Sequence, residues 1–125
     1  MLMTFLQVAF GGAIGAALRF GVGLGLIRAA GDGFPIAIMA VNIIGSFLMG
    51  VFVIYSFHKG LTHLNPFVMT GVLGGFTTFS AFSLELFTLY ERGQLGAAAL
   101  YLGGSVVLSV LALALGVMLA RGFWA

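Results

Sequence analysis

The side chains able to do chemistry in this sequence are few and sit inside long apolar runs. Between Ile36 and Ile54 the only polar ones are Asn42 and Ser46, four residues apart. Between Leu95 and Ala120 they are Tyr101, Ser105 and Ser109, whose i, i+4, i+8 spacing lays a single stripe along one helix face. An amide NH₂ and a row of hydroxyls can donate hydrogen bonds to a small anion. A cation pathway would commonly bring an acidic residue deep into these runs, and none lies there in the first, second or fourth. Two readings stand for such groups: they line a permeation path, or they bond across packed helices or back to the preceding turn. For Ser46 taken alone, the second is the expectation. Arg19 also has two readings, snorkelling to the interface from about two turns inside its helix or adding positive potential to an anion vestibule.

The densest signal is Gly71-Val72-Leu73-Gly74-Gly75-Phe76-Thr77-Thr78-Phe79-Ser80-Ala81-Phe82. Paired glycines followed by two β-branched threonines are poor helix material, each glycine costing about 1 kcal/mol relative to alanine. In the middle of an apolar run, this predicts a break in a membrane helix at Gly74-Gly75. Carbonyls freed at such a break can coordinate a cation where protein surrounds them. The competing reading is close helix packing through the Gly71-xxx-Gly75 spacing, for which Gly11/Gly15 and Gly21/Gly25 are the better candidates. Phe79 and Phe82 lie three apart on one face. Phenylalanines there usually meet lipid or core, yet a ring edge is the positive end of its quadrupole and can face an anion. The two histidines, His58 and His63, flank a loop without carboxylate or cysteine company, and no serine has a neighbouring base, so catalysis is not expected.

The elements that must hold these residues follow from composition. The chain has 125 residues, of which 62% are hydrophobic and 6% charged, with 20 glycines and no cysteine. So little charge cannot cover a water-soluble domain, and so much apolar character excludes disorder. Five Lys/Arg against three Asp/Glu give a net charge of +2, which is no nucleic-acid patch. Four apolar stretches, Met3–Ile27, Phe34–Phe57, Pro66 on to Tyr90, and Leu95–Ala120, each reach the roughly 20 residues a membrane helix needs. The fold expected is all-α and integral to the membrane: one four-helix domain over residues 1–125, with helices at about 3–28, 34–57, 65–90 and 94–121 and the third broken mid-span. Turns fall at Ala30-Gly31-Asp32-Gly33 before Pro35, at Leu64-Asn65 before Pro66, and at Glu91-Arg92-Gly93.

Four spans put both termini on one side. That side holds Lys59 and Arg121, the other Arg28 and Arg92, so the positive-inside rule finds almost no excess. Either other features decide insertion, or copies insert both ways and pair antiparallel, as an unfused form of the inverted repeats of transporters.

The run GVLGGFTTFSAF, together with GGAIGAALRF in the first helix and VNIIGSFLMG in the second, resembles the Fluc (CrcB-type) fluoride channels over essentially the whole chain. The resemblance implies a multi-pass protein of the bacterial inner membrane. It implies an antiparallel, dual-topology homodimer with two pores and a structural Na⁺ at the dimer centre, held by the backbone carbonyls of Gly74 and Thr77. Phe79 and Phe82 would present ring edges to fluoride, with Asn42 the pore amide. Ser80, Tyr101, Ser105 and Ser109 would be further pore positions, with Arg19 and Glu85 at the vestibule. Such a channel lets fluoride, trapped in the cytoplasm after HF enters and dissociates, leave passively and so protects the cell. The sequence departs from the family pattern at Ala81, where threonine is common, and at Ile38-Met39-Ala40, where threonines often occur. Its partners would be fluoride, the bilayer and a second copy, with no nucleic acid and no soluble protein.

Two other readings compete. A small multidrug-resistance type exporter is also a four-span dual-topology dimer, but it needs a carboxylate deep in the first helix, where this chain has Arg19. A scaffold subunit without transport would explain the glycines but not the Tyr101/Ser105/Ser109 stripe.

Overall fold

A computed structural model describes residues 1–31 and 34–124. The described chain is helical throughout: α1 (Leu2–Ala30), α2 (Ile36–His58), a short 3₁₀ turn (Thr62–Leu64), a π-helical segment (Pro66–Leu73), α3 (Gly74–Phe76), α4 (Phe79–Glu91) and α5 (Leu95–Trp124). The π segment, α3 and α4 together form the third span, so four stretches are long and apolar enough to cross a membrane. The turn expected at Ala30–Gly33 falls partly on Asp32 and Gly33, outside the described residues. The turn expected at Leu64-Asn65 falls earlier, at Gly60, since Leu64 and Asn65 are already helical, whereas the turn at Glu91-Arg92-Gly93 closes at Gly93. Gly60 and Gly93 take φ of 67° and 75°, the left-handed conformation that glycine adopts without penalty. Around Gly93 the amides of Gly93 and Gln94 bond back to Tyr90 and Leu89, which satisfies the last carbonyls of α4.

The third span bends, but not at the paired glycines. Gly74 and Gly75 are helical, and the chain turns extended at Thr77 (φ −91°, ψ 158°) and Thr78 (φ −155°, ψ 125°). Thr78 then caps α4, its hydroxyl accepting from the Ala81 amide at 3.2 Å, the usual task of threonine before an apolar helix. Residues 66–73 wind as a π-helix, in which Gly74 donates to the Met69 carbonyl five residues back.

The glycines serve close approach instead. A Cβ on Gly11 would strike the Phe67 carbonyl, one on Gly15 the Val72 carbonyl, and one on Gly75 would come within 2.6 Å of the Gly12 carbonyl. Gly71 meets the Gly11 Cα in the same seam. This is the backbone contact that small residues permit between membrane helices, and it joins α1 to the first half of the third span. On the other side, Gly50 and Gly116 let α2 and α5 cross backbone to backbone, each facing a carbonyl of the other helix (Leu113 and Phe47). Of the pairs expected to pack, Gly11/Gly15 does, whereas Gly21 and Gly25 meet nothing within 4 Å. The core gathers Phe82, Leu89, Ala98 and Tyr101, with Phe34, Ile38 and Met39 against them. Most other large apolar side chains face outward, as befits a molecule solvated by lipid.

Gly15→Val and Gly116→Leu should each destabilise the detergent-solubilised protein by roughly 1–3 kcal/mol or more, because backbone stands where the side chain must go. Gly25→Ala should leave its thermal midpoint unchanged.

Candidate functional site

The bend leaves backbone groups that a continuous helix would have satisfied, and side chains from two other helices meet them. Asn42 on α2 forms a double hydrogen bond with Thr78: its Nδ2 donates to the Thr78 carbonyl (3.0 Å) and its Oδ1 accepts from the Thr78 amide (2.8 Å). Because a backbone N–H can only donate, Oδ1 has to face it, which fixes the orientation of the amide. One hydrogen of the NH₂ remains for another acceptor. Gly45, one turn below Asn42, lets Thr77 come in against α2, since a Cβ there would meet the Thr77 methyl. From α1, Arg19 donates its Nε–H to the Gly75 carbonyl at 3.1 Å. Arg19 does not snorkel: α1 runs on to Ala30, so the residue sits about three turns, some 16 Å, inside the helix end.

Beside the bend lies a groove of about 340 Å³ walled by α2, α5 and the start of α4. Asn42, Ser46, Ser105 and Ser109 supply its polar wall, and Thr77, Thr78, Phe79 and Phe82 its opposite side. The Phe79 and Phe82 rings lie 5.4 Å apart, tilted by 44°. Phe82 is buried, whereas Phe79 is 76% exposed on the flank of the single chain. Tyr101 is fully buried one turn above Ser105. It packs on Phe82 (5.2 Å) and edge-on to Phe34 (5.6 Å) rather than opening into the groove. The hydroxyl oxygens of Tyr101, Ser105 and Ser109 are buried without any hydrogen-bond partner among the described residues. By contrast, Thr77, Ser83 and Thr88 all bond back to the carbonyl four residues earlier.

Arg19 and Glu85 share a second cavity of about 470 Å³, bounded by the end of α1 and the start of α2. Ile38 belongs to its wall, and Met39 packs toward Gly104, so the stretch lacking threonine acts as apolar lining. Ser80 is exposed, its hydroxyl 3.3 Å from that of Thr78 and outside the groove lining. Ser46, for which bonding within the packed helices was the expectation, lines the groove wall beside Asn42. One contributor escaped the sequence reading: Thr78, the hinge residue, signalled by its place before the α4 run.

Among the described residues no cluster of three or more His, Asp or Glu could ligate a metal. Backbone oxygens are a different matter. The Thr78 amide, which would bond the Gly74 carbonyl in a continuing helix, goes to Asn42, and the Ala81 amide, due to the Thr77 carbonyl, goes to Thr78 Oγ1. Gly74 and Thr77 are thus two of the carbonyls at the bend, with those of Gly75 and Phe76, that lose the amide four residues on, and carbonyl oxygens suit a hard cation.

A model of the family described as CrcB-like protein, Camphor Resistance (CrcB), matches residues 6–117. Relatives include the fluoride-specific ion channel FluC of Ruegeria sp. (strain TM1040), 66% identical over 123 residues and 98% of each chain. Those of Roseobacter denitrificans and Cereibacter sphaeroides (strain ATCC 17029 / ATH 2.4.9), which carry the same name, are 58% and 54% identical. The former alignment spans 97% of this chain and 98% of the relative, the latter the whole of both.

Asn42→Leu should destabilise the bend by about 1–3 kcal/mol, since it strips partners from two backbone groups. Amide exchange at Thr78, followed by NMR in nanodiscs, should speed up in this variant while exchange in the middle of α5 does not change.

Proposed function

Because the chain belongs to the CrcB-like family of multi-pass membrane proteins, we propose that it is a fluoride channel rather than an enzyme or a coupled carrier, conducting the anion passively out of the cell. The observation that carries this reading is the row of partnerless hydroxyls on α5 facing the phenylalanines of α4. Fluoride holds its water tightly, and a pore can strip that water only by offering equivalent donors in a narrow space. Ser105 and Ser109 offer O–H groups at the groove, Asn42 its remaining N–H, and Tyr101 a hydroxyl at the upper end of the stripe. Phe79 and Phe82 contribute positive ring edges, which a larger, softly hydrated anion has less to gain from. The cavity at Arg19 and Glu85 serves as the wider mouth, and Ser80 lies on the flank of the same path. Inner-membrane location fits the role: HF crosses the bilayer neutral and dissociates inside, and the channel returns the trapped anion.

The working unit is an antiparallel dual-topology homodimer. Phe79 is too exposed in one chain to define a pore by itself, and the evenly split loop charges suit insertion both ways. The carbonyls of Gly74 and Thr77 would hold a structural Na⁺ on the two-fold axis; two oxygens are few for a hard cation, and a second copy makes four. Such an ion would neutralise the freed carbonyls and add fixed positive charge between the pores.

Purified protein in KF-loaded liposomes should release fluoride on addition of valinomycin, read with a fluoride electrode, without any proton gradient. Absence of efflux from folded protein would end the channel reading. Phe79→Ile and Phe82→Ile should each reduce the flux strongly with the dimer intact.

Single-cysteine variants at Lys59 and Arg92, labelled from outside intact cells with an impermeant maleimide, should each react to about half their total. Labelling of one position only would rule out dual topology.

A further inference from the structure

The bend releases more than the two carbonyls discussed above. With Thr77 and Thr78 extended, the Phe79 amide opens α4 and is carried away from the Gly75 carbonyl it would have bonded. That carbonyl is taken by Arg19 Nε–H, as both backbone groups of Thr78 are taken by Asn42. Three of the released groups are therefore claimed by two side chains, and the carbonyls of Gly74, Phe76 and Thr77 are left without a donor among the described residues.

We propose that Arg19 is a positioning residue: through Nε–H on the Gly75 carbonyl it fixes the last peptide of α3, and so determines which carbonyls of the bend stay free. Three features argue for this role over that of a mobile vestibule charge. The side chain is half-buried about three turns inside α1, too deep to swing out to water without leaving its partner. The contact is made by Nε, the guanidinium nitrogen bonded directly to the aliphatic stem and so the one nearest the backbone of α1. That backbone is in turn locked against the third span by Gly11, Gly12 and Gly15, and Arg19 follows Gly15 by one turn. Gly75 meets Gly12 and the Ala16 amide in the same seam, so the two ends of the hydrogen bond are held by one contact. The cation also caps the C-terminal end of the first half-span, where helix carbonyls collect negative potential.

The inference rests on the channel reading for its consequence but not for its geometry, and two substitutions separate the roles. In Arg19→Gln, Nε2 occupies the same place along the side chain as Arg Nε, which keeps the donor and removes the charge. In Arg19→Lys, a methylene stands there, which keeps the charge and removes that donor. Arg19→Met has neither. Liposome fluoride efflux should fall roughly tenfold or more in Arg19→Met, recover most of the way in Arg19→Gln, and stay low in Arg19→Lys. The ¹³C shift of the Gly75 carbonyl, measured by NMR in nanodiscs, should match wild type in Arg19→Gln and move in the other two. Recovery in Arg19→Lys but not Arg19→Gln, or an unmoved Gly75 carbonyl in Arg19→Met, would overturn the proposal. If Arg19→Met does not fold, the Gln and Lys pair still decides. Wild-type protein that carries no fluoride would remove the channel reading and leave the carbonyl measurement standing as the test.

Discussion

Inside a bilayer there is no water to satisfy backbone groups, so a chain may leave the helix only where other parts of the protein supply the missing partners. That constraint governs the bend at Thr77–Thr78, and much of the molecule is arranged around meeting it. The amide of Asn42 replaces a stretch of missing helix ladder for Thr78, Arg19 serves Gly75, and the Thr78 hydroxyl caps α4. The first two partners come from other helices, α2 and α1, and only the third belongs to the bend itself. The bend is therefore a property of the tertiary structure, and local glycine content does not create it: Gly74 and Gly75 remain helical although they have the lowest helix propensity in the run.

Supplying partners from other helices requires those helices to come close. Glycine makes that possible in two seams, α1 against the first half of the third span and α2 across α5. The first seam brings Arg19 to the bend, the second keeps Asn42, Ser105 and Ser109 together on the polar wall of one groove. Hydrophobic burial cannot drive such contacts in lipid, where the surroundings are as apolar as the side chains, so dispersion between closely approached backbones has to do so. The abundance of glycine in the sequence thus divides between seams and turns, with the bend itself resting on threonine.

What the sequence disclosed follows the same physics. The four spans are legible because hydropathy is a local property, and the Tyr101/Ser105/Ser109 stripe because helix periodicity is. Whether Gly71/Gly75 or Gly21/Gly25 would pack was not legible, since small residues look alike until a neighbour is known. The π winding of residues 66–73 leaves no periodic mark in an apolar run of eight residues. Asn42 could be picked out as the sole amide of its span, but a pore donor and a backbone brace have the same composition. Only the position of Thr78, opposite it, shows that half of its hydrogen-bonding capacity is already committed. Arg19 misled for a related reason: a lone arginine near a membrane edge normally snorkels, and the partner that holds it inward is 56 positions further along the chain.

The hydroxyls offer the clearest division between structure and permeation. A serine or threonine in a membrane helix ordinarily satisfies itself on the carbonyl one turn back, as Thr77, Ser83 and Thr88 do. Ser105 and Ser109 had the same option and do not take it; their oxygens are buried with no partner among the described residues, as is that of Tyr101. Leaving a buried hydroxyl unmet costs about 1–3 kcal/mol, and three aligned on one helix amount to a standing destabilisation that packing alone would not require. The expense is rational if the donors are kept for a guest. A pore for a tightly hydrated anion needs hydrogen bonds that the protein has not already used, and it needs them in sequence along the path, so that one donor is reached as the last is released. A stripe at i, i+4 and i+8 on α5, facing the rings of α4, has that character, and the same groups used as interhelical glue would have found their partners already.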